Sequence, residues 1–491
     1  MSELYLSKSI VNNLDLIAKN IPLNSNFIIR EIMLNPDIKC SILYINGLAN
    51  QAYVEESIIH PLLFRIKEPL YNSEELCPYL SKKYICSYNI SISNDINAIC
   101  FALKHGKSIV LLEDNASCII CNTTGGSYRP IAKSNIETDI RGGKEAFVEN
   151  LEINLAVIQQ KLKNNHFKIE TMTLGELSQT DVALLYIDNI IDENILSEIR
   201  IKLSSIKAPY IPDTGYISQY IQNSNFQIFP QTKTTELPDK VISDLLQGKA
   251  IIMVNGSPQV IVLPIVFIEF FQTLEDYSNK FFNANFDRIV RFVGAFIVLV
   301  IAPIYLVLLE YNAALIPLNL IKIIINSRMG IPLTPFLEIL SMEILIEFLR
   351  EGGIRLPSPI GQTLGIVGGI VLGDAATKAG LVSPTTLVVI AIEVISTFVI
   401  PNYEMSLTIR LLRFPLLILA ELFGFLGIVF GTYFIFSNLC SLDSFGIPYF
   451  SPIAPLRGAA LRDSIIRLPL KSLNAITNIF KSTKNKVNKH E

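Results

Sequence analysis

Cys118 and Cys121 stand three positions apart, and a Cys-x-x-Cys pair is half of a structural zinc site or the core of a dithiol redox motif. No second pair follows, and the other cysteines at 40, 77, 86, 100 and 440 are scattered. The pair falls in the apolar run "SCIIC", which reads as a strand, and residues three apart on a strand face opposite sides. The spacing therefore predicts free structural thiols. Histidines at 60, 105, 166 and 490 form no HExxH, and neither a GxxxxGK[ST] loop nor a GxSxG elbow occurs. Asp213-Thr214-Gly215 has the triplet of an aspartic protease, but it also reads as a turn ahead of the helical "YISQYI". Gly142-Gly143-Lys144-Glu145 precedes the helical stretch "EAFVENLEINLAVIQQKLKN", where it is either an anion site at a helix N-terminus or a hinge. With no nucleophile, base and orienting group brought together, the sequence predicts no enzyme, no metal and no cofactor.

The elements around these residues are organised by a repeat. "LYINGLANQAYVEESIIHPLL" from Leu43 is similar to "LYIDNIIDENILSEIRIKLSS" from Leu185, and "GKSIVLLEDNASCIIC" from Gly106 to "GKAIIMVNGSPQVIVL" from Gly248. Both pairs are offset by 142 residues. Two related α/β subdomains follow, at 1–140 and 141–287, each expected to mix parallel crossovers with a hairpin.

Charge and hydropathy divide the 491 residues again. Residues 1–287 hold 24 Lys and Arg against 32 Asp and Glu, while 288–491 hold 17 against 12. An acidic first half argues against a nucleic-acid partner. The mean hydropathy of +0.42 comes from runs such as "FVGAFIVLVIAPIYLVLL" at 292–309, near the length that crosses a bilayer. Four spans fit best, at 289–309, 359–376, 383–401 and 411–437. A re-entrant or interfacial region lies at 312–352, where six crossings result if both short apolar pieces span. The membrane domain is placed at 288–440 and a basic cytosolic tail at 441–491. No secretory signal opens the chain, and Arg288 and Arg291 precede the first span, so both termini are expected in the cytosol. The eight Lys and Arg of residues 456–491 would be solvated or drawn to anionic lipid.

Within that half, Gly361, Gly365, Gly369 and Gly373 recur every fourth position, a side-chain-free face that lets helices approach closely in lipid. That face packs either within one chain or around an axis shared by several copies. Glu343, Glu347, Arg350 and Glu351 share a helical arc about 100° wide, whereas Glu338 falls on the apolar side. Asp374 and Lys378 are spaced to pair, and Glu393 and Glu421 read as mid-span acids. Charge in a membrane is costly, so these residues face a protein interior, or water, or an ion path.

The run "LREGGIRLPSPIGQTLGIVGGIVLGDAATKAGLVSP", with "SFGIPYFSPIAP", "RGGKEAFVENLEIN", "DTGYISQYI", "FPQTKTTELPDK", "VNGSP" and "FFQTLEDY", resembles the A subunits of GerA-type spore germinant receptors over nearly the whole chain. The resemblance implies a multi-pass protein of the spore inner membrane, working with a transporter-like B subunit and a lipoprotein C subunit. It further implies a homo-oligomeric, nutrient-gated channel for monovalent cations. A membrane-anchored scaffold, and a paralogue serving the dipicolinate-release channel, are the alternatives. Gly143, Ala146, Leu237 and Glu393 depart from the usual pattern of that family.

Overall fold

The computed structural model describes residues 5–20, 27–34, 38–70, 75–87, 89–123, 137, 143, 145–222, 226–355, 373–456, 461 and 463–469. The chain divides into two compact units. One holds residues 1–225 and 232–264, with 478–491 assigned to it; the other holds 226–231 and 265–477.

Continuous apolar runs such as "SIVLL" and "AIIMV" suit strands covered on both faces, and the first unit uses them twice. Its first sheet comprises β1 (Phe27–Leu34), β2 (Ile38–Ile45), β3 (Ile90–Ser93), β4 (Ser108–Leu112) and β5 (Cys118–Cys121), in the order β1-β2-β4-β5-β3. The second comprises β6 (Phe167–Leu174), β7 (Thr180–Ile187), β8 (Lys233–Thr235), β9 (Ala250–Val254) and β10 (Val260–Leu263), in the matching order β6-β7-β9-β10-β8. The 142-residue offset extends to single residues. Asn50 and Asp192 each cap a helix, and Gly106 and Gly248 each turn the chain into a central strand at φ +75° and +94°.

Every strand pair in both sheets is antiparallel, so the expected parallel crossovers are absent from them. The helical pieces between β2 and β4 occupy a connection long enough for a crossover. They also carry β3, and the chain re-enters beside β2 in the opposite direction.

Cys121 sits in the core under one face of the first sheet and Cys118 in the core under the other. The second core also receives helix α1 (Ile96–Lys104) and Ala156 of α2 (Leu151–Lys161). Ala156 comes in at Gly47, whose φ of +82° suits glycine, and a Cβ there would stand 2.9 Å from that of Ala156. Asn150 caps α2 through Ile153 N, so the helix begins well after Gly143. The anion-site reading of 142–145 fails for that reason. Asp213 caps the helix Thr214–Ile221 by accepting from Tyr216 N, which gives it a structural duty.

The second unit is built on α3 (Phe281–Glu310), α4 (Leu318–Arg328), α5 (Pro335–Ile354), α6 (Pro384–Thr397), α7 (Tyr403–Phe423) and α8 (Phe425–Ser441). Among the described residues, α3 alone is long and apolar enough to cross a membrane by length and composition, and less than half of its apolar stretch is buried. α3 and α7 run parallel: Val298 shares a core with Met405 and Ile409, and Tyr311 lies against Gly424. α6 runs the other way, with Ser396 O facing Gly294 and Thr385 bonded to Tyr305 at 3.1 Å. α5 is also antiparallel to α3, since Phe336 packs against the Val300–Val307 end and Arg350 reaches Thr397 at 3.3 Å.

The reading of 411–437 as one span is overturned. Gly424, at φ +60° and ψ −138°, ends α7 and starts α8, which folds back so that Gly427 meets the Leu419 backbone and Gly431 the Leu416 side chain. Apolar residues continue through the bend, so hydropathy alone does not reveal it. The 383–401 segment is likewise shorter than read, with α6 ending at Thr397.

Candidate functional site

At the centre of the helical unit, α5, α6 and α7 bring together residues that their sequences leave far apart. α5 supplies Glu343 and Glu347, one turn apart; α6 supplies Glu393; α7 supplies Arg410 and Arg413. The Arg413 guanidinium is almost fully buried and faces a carboxylate on each side. It donates to Glu393 Oε1 through Nη1 and to Glu347 Oε1 through Nη2 at 3.0 Å, and its Nε lies 3.3 Å from Glu343 Oε2. Arg410 Nη1 donates to Glu347 Oε2 at 2.7 Å. Arg350 stands at the rim, donating to Thr397 Oγ1 and lying over the Phe398 ring. A planar guanidinium with five donors can tie three helices at one point, which a lysine cannot.

A second network closes the lower end of α3. Arg288 Nε donates to Asp276 Oδ2 at 2.9 Å, Arg291 Nη1 to Asp276 Oδ1 at 2.8 Å, and Arg288 Nη1 to Asp463 Oδ1 at 3.0 Å. Tyr277 OH donates to Asp463 Oδ2 at 2.8 Å, while burial pushes the Asp463 carboxyl above its usual range against the pull of Arg288. Arg467 N donates to Asn285 Oδ1 at 2.7 Å, and its guanidinium reaches the Asp276 carbonyl. Arg467 was counted among the solvated basic residues of the tail; it is 2% exposed and bound to the protein.

The other singled-out residues scatter. Glu338 is buried, paired with Arg328, and accepts from Ser383 N at 2.7 Å. Asp374 and Lys378 pair at 2.7 Å on an exposed turn. Glu421 is not mid-span: it occupies the last turn of α7, where its carboxyl faces that of Glu310 and its carbonyl accepts from Tyr311 OH. Gly373 contacts Leu387. Gly361, Gly365, Gly369 and Gly142 lie outside the described residues. Gly143 leaves no room for a Cβ beside the Asp239 carboxylate. Sequence reasoning found Glu393 and the acidic arc of α5 but missed Arg410 and Arg413. Their signal was two arginines three apart at the mouth of the apolar run "FPLLILA".

The network contains no nucleophile beside a base, and no group of three or more metal-ligating side chains is disposed to hold a metal among the described residues. Its chemistry is the fastening of helices.

Residues 15–478 match the family model described as Bacillus/Clostridium GerA spore germination protein. The chain belongs to the GerA spore germination protein family. Among GerA relatives, Spore germination protein KA of Bacillus subtilis (strain 168) is 34% identical over 466 residues, 94% of this chain and 85% of that protein. Spore germination protein GerQA of Bacillus cereus is 36% identical over 426 residues, 86% of this chain and 84% of that protein. A third relative, the uncharacterized membrane protein YfkQ of Bacillus subtilis (strain 168), is 32% identical over 428 residues, 87% of this chain and 83% of that protein. The solved N-terminal domain of the A subunit of the Bacillus megaterium spore germinant receptor GerK3 is 26% identical, over 54% of this chain and 99% of that one, with a TM-score of 0.43.

Proposed function

We propose that this GerA protein is the A subunit of a nutrient germinant receptor in the spore inner membrane, and that its copies assemble around the face of Gly361, Gly365, Gly369 and Gly373 to form a gated path for monovalent cations. The observation that carries the membrane reading is an inverted helical unit: charge is buried among α5, α6 and α7, while Phe296, Ile395 and Phe434 are more than 60% exposed. A bundle with apolar side chains outside suits lipid. α5 and α6 both run against α3, α7 runs with it and α8 folds back, and we take the count of crossings as four to six. An even count keeps both termini in the spore core. A transporter-like B subunit and a lipoprotein C subunit are the expected partners, nutrient binding there biasing a closed–open equilibrium in the A subunit.

The test is to purify the receptor assembly, count its copies by native mass spectrometry and measure cation flux from proteoliposomes. Multiple copies and nutrient-triggered flux are expected, with flux abolished by G365L or G369L. Unchanged flux in both variants sinks the pore assignment, and flux-competent solitary copies sink the assembly.

A further inference from the structure

In the buried network on α5, α6 and α7, two guanidinium groups make the ion pairs to three carboxyls, and a third, Arg350, feels Glu347 only across space. Glu343, Glu347 and Glu393 face the guanidinium groups of Arg410 and Arg413, and the Arg350 guanidinium is directed to Thr397 and the Phe398 ring without pairing with a carboxylate. Arg413 bonds Glu393 and Glu347, and Arg410 bonds Glu347. Glu343, 1% exposed, has both oxygens without a hydrogen-bond partner, and Glu393, fully buried, has Oε2 in the same condition. The two carboxyls adjoin. Two neighbouring buried carboxylates with three unmet oxygens cost far more than one carboxyl–carboxylate pair.

Among the described residues, few other charges lie on the surrounding elements. On α5 the remaining neighbours are Glu347 and Arg350; α6 carries no charged residue besides Glu393; α7 offers Arg410 and Arg413; and α3 has none between Arg291 and Glu310. A metal cation is a poor occupant, because Arg413 Nε already stands 3.3 Å from Glu343 Oε2 and only two carboxyls converge.

We propose that Glu343 and Glu393 form a binding site for a single proton in the core of the helical unit, held as an O–H of Glu343 donated to Glu393 Oε2. The proton meets one unmet oxygen on each residue. Its release to water leaves two adjacent carboxylates sharing one guanidinium, and arrangements that part α5 from α6 gain in population. Raising the pH therefore loosens this bundle, and lowering it fastens the helices. The inference rests on the bundle geometry and holds whether or not the assembly conducts ions.

Infrared spectroscopy of the full-length protein in lipid nanodiscs tests it, by following the carbonyl stretch of protonated carboxyls through a pH titration. A buried protonated-carboxyl band is expected in the wild-type protein at neutral pH, and it should lose a component in both E343Q and E393Q as the remaining acid ionises against Arg413, leaving any part from the facing Glu310 and Glu421 carboxyls unchanged. The band should persist in E351Q, whose carboxyl is exposed and paired with Arg355. Wild-type protein without such a band at neutral pH overturns the proposal, whatever the variants do. A band of undiminished intensity in folded E343Q and E393Q overturns it equally.

Discussion

In the two five-stranded sheets the fully buried side chains are residues such as Ile42, Leu43, Leu184 and Val262; in the helical unit Arg413, Glu343 and Glu393 take the interior while Phe296, Ile395 and Phe434 face outward. Beside the second sheet Lys249 pairs with Asp244 at 2.6 Å. In the helical network one guanidinium, that of Arg413, is shared by three carboxyls. Water drives apolar side chains together, so the sheets need only alternation and β-branched runs to find their cores. In the lipid setting proposed for it no comparable force acts between helices, and the bundle would rely on close packing at small residues and on shared polar contacts.

The largest way to break that contrast is Arg413→Ala. Removing one partner of a buried network costs about 3–5 kcal/mol, here with three carboxyl groups left and only Arg410 paired with one of them. The variant should fail to accumulate in the membrane, while hydrogen exchange in β4 and β9 of any protein recovered stays protected. Next in size is Gly427→Leu, which would thrust a side chain into the Leu419 backbone and force α8 off α7. Overpacking of this kind costs about 1–3 kcal/mol or more, and a cysteine pair spanning the hairpin should cross-link less efficiently than in the parent.

The smallest effect lies in the second sheet, where the Arg200 guanidinium hydrogen-bonds Glu170 and holds its carboxyl below the usual range. A depressed carboxylate stabilises the fold above its unfolded pKa, and that contribution fades as pH falls through the folded value. Both side chains are about one-third exposed, so the pair is worth well under about 1 kcal/mol. Arg200→Ala should flatten the acid limb of a stability profile slightly and leave neutral stability almost unchanged.

The repeat was legible because both members keep the same turn glycine and helix cap at the same spacing, Gly106 with Gly248 and Asn50 with Asp192. Strand direction was not, since an apolar run reads alike either way and the long β2–β4 connection resembles a crossover. The hairpin at Gly424 was hidden because both of its arms are apolar. Glu393 was conspicuous as a charge in an apolar helix, yet its partner Arg413 belongs to another helix, and pairing between helices leaves no local period to read.

The inverted helical unit is tested most directly by placing spin labels at Ile395, Phe434 and the buried Ile390 in the reconstituted full-length protein and comparing relaxation by oxygen with relaxation by a water-soluble nickel chelate. Lipid-facing labels at 395 and 434 should respond to oxygen and scarcely to nickel, with 390 responding weakly to both. Strong nickel relaxation at 395 and 434 would put those side chains in water and contradict the membrane account.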